Sequence, residues 1–242
     1  MRVLIISDIH ANLAAFEAVL AEAQNQWDII WCLGDLVGYG PDPNECVALL
    51  QTHPHISLSG NHDWAVLGKL DIQNFNREAQ IAIRWTREAI NTDTHDYLDA
   101  LPPVRLEDRF TLAHASPRQP VWEYILDSYT AAINFEHFET PYCLVGHTHV
   151  PIVFEETDPN HVSFHRPDYT TERLLADNRL IINPGSVGQP RDSDPRAAYA
   201  LLDTDTNIWQ FKRVDYPITI TQDKMRQYGI PSRLIKRLEF GL

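Results

Sequence analysis

"RVLIIS" (residues 2–7) decides how the rest of the chain is read. Val3 to Ile6 are apolar without a break, which predicts a strand buried on both faces. Asp8 and His10 follow the run at once. An apolar run that ends in an acid and an imidazole sets the pattern to look for downstream.

Working outward, "NLAAFEAVLAEAQNQ" (12–26) predicts a helix. Asn12 is its N-cap, and Leu13, Phe16, Val19 and Leu20 share one face. "WDIIWCLG" (27–34) reads as a second buried strand, and "HISLSG" (55–60) as a third. Between them, "DPNECVALLQTH" (42–53) predicts a helix with Pro43 in its first turn. Continuous apolar strands separated by helices imply parallel pairing with helices on the faces. Residues 64–100 predict helical cover, most clearly "NREAQIAIRWTREAIN" (76–91). Residues 115–140 hold Trp122, Tyr124, Tyr129, Phe135 and Phe138, read as further helical cover packed over the sheet edge rather than as a lid. Strands are expected at 110–114, 142–145, 150–154, 161–165, 179–182, 197–203 and 207–214, so the second half is antiparallel or mixed. Residues 216–242 read as a C-terminal helical extension broken at Gly229-Ile230-Pro231. The simplest architecture is two packed sheets with helices outside, in a single domain spanning 1–242.

Composition narrows the function. A chain of 242 residues with 44% hydrophobic and 22% charged residues can bury a sizeable core, as ordinary globular proteins do. No apolar run nears the roughly 20 residues of a membrane span. The start has no signal-peptide pattern, so the chain is expected in the cytoplasm, away from membranes. A formal charge of −13 repels nucleic-acid backbones, which disfavours a long nucleic acid as partner. Part of that charge is an excess of carboxylates suited to cations. Cys32, Cys46 and Cys143 are scattered without a CxxC and read as small buried hydrophobes.

The ends of the apolar runs agree with one another. Asp8 and His10 follow the first, and Asp35 follows the second behind Gly34. Asn61, His62 and Asp63 follow the third behind Gly60. His114 follows "FTLA", and His147 and His149 follow "YCLV" behind Gly146. Ligands of open α/β sheets bind at the carboxyl ends of the strands. Any one of these residues could be a routine turn residue, but five ends in agreement point to a site. The candidate ligands are imidazoles, carboxylates and one amide carbonyl, with no thiolate. They are too many for one tetrahedral zinc and fit two divalent ions sharing a carboxylate. Such donors suit Mn²⁺ first, and also Fe, Zn²⁺, Co²⁺ or Ni²⁺. Two ions about 3.5–4 Å apart can clamp a phosphoryl group and activate a water between them.

"SDIHAN" (7–12), "GDLVGYG" (34–40), "GNHD" (60–63), "AHASP" (113–117) and "GHTHVP" (146–151) together resemble the five blocks of the calcineurin-like metallophosphoesterases, in the family's order. "NPGSVGQPRD" (183–192) resembles a block of the small prokaryotic phosphodiesterase branch. The resemblance implies an α/β fold, a four-layered α/β/β/α sandwich of two packed mixed sheets flanked by helices. It implies that Asp8, His10 and His149 hold one ion, that Asn61, His114 and His147 hold the second, and that Asp35 bridges them. It also implies that His62 acts near the scissile bond, as general acid or as a stabiliser of developing charge. His62 and Asn61 are the catalytic candidates of the "GNHD" block.

The resemblance has departures. Family members that are Ser/Thr protein phosphatases carry "GDxVDRG". Here Gly38 stands where an Asp would orient the histidine, and Tyr39 where an Arg would grip phosphate. Asp42 is a candidate substitute for the orienting Asp. Arg191 and Tyr39 are the candidate substrate contacts, with Arg191 as the substitute phosphate grip. "GNHD" in place of the family's "GNHE" reads as a minor change. The expected function is metal-dependent hydrolysis of small phosphodiesters, nucleotide-derived ones among them, by a hydroxide bridging the ions. The alternatives are a phosphomonoesterase or protein phosphatase, a nuclease, and a non-catalytic scaffold. The nuclease lacks a basic stripe, and the scaffold does not explain a complete ligand set.

Overall fold

β1 (Arg2–Ile6) is buried from Val3 onward, and its alternate side chains enter two different cores. Leu4 and Ile6 pack with Phe16 and Val19 of α1 (Leu13–Glu22). Val3 and Ile5 pack with Leu112, Leu144 and Ile182 of a second sheet. A strand between two apolar layers needs apolar residues at every position, which is why the run shows no alternation. These positions come from a computed structural model, which describes residues 1–158, 161–175 and 178–242.

The chain continues through β2 (Ile29–Cys32), α2 (Pro43–Gln51), β3 (His55–Ser57), α3 (Asn61–Val66), α4 (Arg77–Ala89) and α5 (Thr92–Asp99). Next come β4 (Val104–Glu107), β5 (Phe110–Ala113), α6 (Ser128–Phe135), β6 (Tyr142–Leu144), β7 (Ile152–Asp158) and β8 (His161–His165). The last elements are β9 (Arg173–Leu174), β10 (Leu180–Asn183), β11 (Ala197–Asp203), β12 (Ile208–Val214), α7 (Ile218–Gln227) and α8 (Ser232–Lys236).

The first sheet has the order β3-β2-β1-β11-β12-β9. Its β1, β2 and β3 run parallel, and β11, β12 and β9 add antiparallel neighbours. The second has the order β4-β5-β6-β10-β7-β8, with β5, β6 and β10 parallel at its centre. The two sheets face each other across Val3, Ile5, Trp31, Phe110, Leu144 and Trp209. α6 covers the outer face of the second sheet, setting Ala131 and Phe135 on Cys143 and Ile181. The result is the expected α/β/β/α sandwich of two mixed sheets. Among the described residues no helix is long and apolar enough to cross a membrane.

Most expected elements form, with local differences. The 64–100 segment is helical cover as read, carried by α3, α4 and α5. In 115–140 only α6 is helical, because Pro117 and Pro120 interrupt the backbone before it. The stretch before α6 becomes a loop over the strand ends. β4 and β9 lie at sheet edges, and their short exposed sequences carry little periodic signal. The C-terminal extension forms α7 and α8, whose Met225, Leu234 and Ile235 pack on Ala79 and Ala82 of α4 and on Tyr39. That packing brings the tail beside the "GDLVGYG" loop.

Candidate metal centre

Parallel strands of both sheets deliver their ends to one place. Asp8 and His10 follow β1, Asp35 follows β2, and Asn61 and His62 open α3 just past β3. His114 follows β5, and His147 and His149 follow β6. All eight side chains are buried. Five of them sit on left-handed backbone: Asp8 (φ 53°), His10 (48°), Asp35 (52°), His147 (64°) and His149 (61°). Residues other than glycine rarely adopt this conformation, and each instance costs on the order of 1–3 kcal/mol. Such strain persists where the surrounding structure needs the side chain aimed in one direction.

The aim is toward two overlapping groups. Asp8, His10, Asp35 and His149 form one, and Asp35, His114 and His147 the other, with the ligand atoms of each group all within 4.8 Å of one another. Asp35 belongs to both. Its Oδ2 lies 3.6 Å from His10 Nε2 and 3.4 Å from His114 Nε2. That oxygen is buried and has no hydrogen-bond partner among the described residues. A buried carboxylate oxygen is costly to leave unpaired. Asp8 Oδ1 lies 3.3 Å from His149 Nε2, and Asn61 Oδ1 lies 3.3 Å from His114 Nε2.

Main-chain carbonyls set which ring nitrogen faces the centre. The Nδ1 of His10, His114 and His149 donate to the carbonyls of Val37 (3.2 Å), Leu33 (2.8 Å) and Gln189 (2.6 Å). Each then presents an Nε2 lone pair inward, the arrangement of metal-ligating histidines. His147 is turned the other way. Its Nε2 donates to the Trp122 carbonyl at 3.3 Å, which frees Nδ1.

Burial and charge oppose one another here. Burial pushes Asp8 up to about 7 and brings His147 down to about 3 and His62 to about 4. It also holds His10 and His149 well below the usual imidazole range. Burial works against the charge on His114 and Asp35 as well. The Asp35 carboxylate nevertheless raises His114 to about 9, and the neighbouring His114 and His62 hold Asp35 below the usual carboxylate range. In the protein alone, His114 supplies the cation that Asp35 requires. A nitrogen-and-oxygen donor set in two groups, sharing a carboxylate with an orphaned oxygen, fits two divalent ions.

His62 lies beside these groups. Its main-chain N–H donates to Asp35 Oδ1 at 2.8 Å, but its ring Nδ1 is buried without a partner among the described residues. Asp42 does not orient it. Asp42 stands at the start of α2 and pairs with Lys224 at 2.7 Å, so that candidate role is corrected. Rings pack round His62 instead, with centroids at 4.2 Å for Tyr39, 4.9 Å for His10 and 5.3 Å for Phe75. The Arg191 guanidinium lies 5.9 Å from the Tyr39 ring centroid and donates to Gln189 Oε1 at 2.9 Å. Its Nε is buried and has no partner among the described residues.

The loop before α6 closes the site from the other side. Tyr124 stacks on His147 with centroids 3.9 Å apart, and Trp122 meets Phe75 at 5.1 Å. These two aromatics, read from sequence as ordinary packing, cover the centre. Tyr129 is 77% exposed and takes no part. Sequence reading also missed two braces. Asp63 accepts from Gly60 N at 2.8 Å and Val37 N at 3.1 Å, tying the Asp35 loop to the start of α3. An acid three residues past a turn glycine, at a helix start, was the available signal. Asn183 donates to the Gly146 carbonyl at 2.6 Å and to Thr148 Oγ1 at 3.0 Å, holding the "GHTH" turn.

Known proteins are similar to this chain in sequence and fold. The family model of the calcineurin-like phosphoesterase superfamily domain matches residues 1–207. An uncharacterized protein of Methanocaldococcus jannaschii is 38% identical over 243 residues, covering 98% of this chain and 97% of that protein. The crystal structure of a metallophosphoesterase from Sphaerobacter thermophilus is 47% identical, with a TM-score of 0.92 over 100% of this chain and 99% of that one. A hypothetical protein from Pyrococcus horikoshii, 20% identical, shares the fold with a TM-score of 0.79 over 100% of this chain and 98% of that one.

Proposed function

The chain belongs to the calcineurin-like phosphoesterase superfamily, and from that premise we propose that it is a dinuclear enzyme hydrolysing small phosphodiesters, nucleotide-derived ones included. One observation carries the dinuclear reading: Asp35 Oδ2, buried and unpartnered, stands between His10 and His114 in two ligand groups that share it. Asp8, His10 and His149 would hold one ion, and Asn61, His114 and His147 the other. Mn²⁺ leads among the ions that suit these donors, ahead of Fe, Zn²⁺, Co²⁺ or Ni²⁺. When bound, the ions supply the Lewis acidity that activates water and neutralises phosphoryl charge.

The chain's own groups do the rest. Asp35 and Asp8 would supply the negative charge that holds two cations in one pocket. His62, held by rings and by its main-chain bond to Asp35, offers a ring nitrogen to the leaving oxygen as acid or charge stabiliser. Tyr124 and Trp122 keep bulk water from the centre. The whole chain acts as one domain. Three free, buried cysteines suit the reducing conditions of the cytoplasm.

Arg191 favours a second reading, monoester hydrolysis. A guanidinium with a buried, unpartnered Nε beside Tyr39 is a potential grip for a phosphate dianion. Elemental analysis and turnover of bis-nitrophenyl phosphate test the main reading together. Two ions per chain with diester turnover is the expected result. One ion, or no diester turnover at two, would overturn it.

A further inference from the structure

A cavity of about 600 Å³ opens beside the centre, between the start of α4 and the C-terminal extension. Arg233, Lys236, Arg237 and Phe240 line one wall, and Asn76 and Glu78 the other. Three basic side chains face one acidic side chain there, in a chain whose formal charge is −13. Half-buried Glu78 pairs with the exposed Arg233 at 3.9 Å. Lys236 has no carboxylate partner among the described residues. Arg237 is half-buried and donates from Nε to the main-chain oxygen of Leu242. A concentration of positive charge against so acidic a background attracts anions specifically to this face.

One packed cluster lies between the cavity and the centre. Phe75 packs on His62, and Asn76, the next residue, lines the cavity. Tyr39 packs on the opposite side of His62 and shares an apolar cluster with Leu234 and Leu238, which flank the basic residues. Burial raises the Tyr39 phenol above its ordinary range, and the charges of Arg191 and Arg237, both near it, partly oppose that rise. Phe75 is half-buried and Asn76 exposed, so an arm of a ligand bonded at the scissile phosphate reaches the cavity over Phe75 and Asn76, outside the buried Tyr39. The ring of Phe240, 57% exposed, offers a flat apolar surface at its edge.

We infer that this cavity is a second anion subsite, which holds an additional phosphate on one arm of the substrate diester at Lys236 and Arg237. The inference rests on the phosphodiesterase reading and narrows it: the preferred substrates carry a further phosphate beyond the scissile one, on a ringed arm that lies against Phe240. Arginine and lysine in combination suit such a group, one by its planar fork and the other as a point charge.

Two nitrophenyl esters with the same leaving group test it. One is the nitrophenyl ester of thymidine 5′-phosphate, and the other carries an added 3′-phosphate. In the Mn²⁺-loaded wild type, kcat/KM should be roughly 10-fold higher for the ester with the added phosphate, mainly through KM. Lys236→Gln and Arg237→Gln should each reduce that ratio toward one. Lys236 is exposed, so its variant is not expected to disturb folding. As a readout independent of turnover, thymidine 3′,5′-bisphosphate should bind the metal-free protein in calorimetry, and more weakly in both variants. Equal kcat/KM for the two esters in the wild type, or bisphosphate binding indifferent to both substitutions, would overturn the subsite. If neither ester is hydrolysed while bisphosphate binding still depends on Lys236, the diesterase reading fails and the anion site stands.

Discussion

Gly38 leaves no room for a side chain against His62: a Cβ at position 38 would stand 2.7 Å from His62 Nδ1, on backbone with φ +91°. Protein-phosphatase relatives are expected to place an orienting Asp at this position. Here the loop closes onto the imidazole, and Tyr39, His10 and Phe75 hold the ring by packing. Gly38→Ala should therefore displace His62 and strain the loop. A loss of about 1–3 kcal/mol in stability is expected, with kcat lowered and metal content kept. Thermal unfolding, kcat and elemental analysis measure the three. An alanine variant as stable and active as wild type would mean that the loop is free to move away.

Asp35→Asn should abolish turnover and lower metal content. One carboxylate faces both ligand groups, and its buried Oδ2 has no hydrogen-bond partner among the described residues. An amide is neutral and cannot hold two cations together. Two ions per chain with undiminished activity in the variant would remove the bridging role.

His62→Ala should keep both metals and slow the reaction by about 10²–10⁴-fold, the usual worth of such a group. His62 belongs to neither ligand group. The loss should shrink for nitrophenol esters, whose leaving oxygen needs little help. Loss of metal would make His62 a ligand, and equal losses for good and poor leaving groups would exclude the acid role.

The sequence made the candidate ligands legible because strand ends are read from apolar runs. Val3 to Ile6 must be a strand, so Asp8 and His10 must sit at its end, and the same holds for Asp35, Asn61, His114, His147 and His149. Their tautomers were not legible. They depend on the carbonyls of Val37, Leu33, Gln189 and Trp122, which carry no residue signature. The cover formed by Tyr124 and Trp122 was misread for a related reason. Aromatic residues in an irregular segment look the same whether they pack on a sheet edge or on a histidine. The edge strands β4 and β9 were missed because exposed Arg105, Leu106 and Leu174 break any buried pattern.

Tyr124→Ala should weaken retention of the ion nearer His147. Tyr124 stacks on the His147 ring at 3.9 Å and fixes its plane, while the Trp122 carbonyl fixes its tautomer. Groups that orient a ligand are typically worth about 10–100-fold in metal affinity. Competition with a chelator should show one ion lost more easily and the other unchanged. Equal weakening of both ions, or of neither, would mean that the stacking does not position His147.

Diesters should be preferred to phosphoprotein monoesters. A monoester dianion carries one more negative charge than a diester, and binding it well calls for a cation beyond the metals. The position that bears an arginine in protein phosphatases is Tyr39 here, buried in the ring cluster round His62. Arg191 is a cation at the site, held over Tyr39 and bonded to Gln189. A formal charge of −13 also repels acidic phosphopeptides. With Mn²⁺, kcat/KM should be highest for bis-nitrophenyl phosphate, lower for nitrophenyl phosphate and lowest for a phosphopeptide. Arg191→Ala should reduce monoester turnover more than diester turnover, since the dianion depends more on the guanidinium. If the phosphopeptide is the best substrate, the diester preference is wrong, and a large loss of its turnover in Arg191→Ala would identify Arg191 as the phosphate grip that Tyr39 cannot supply.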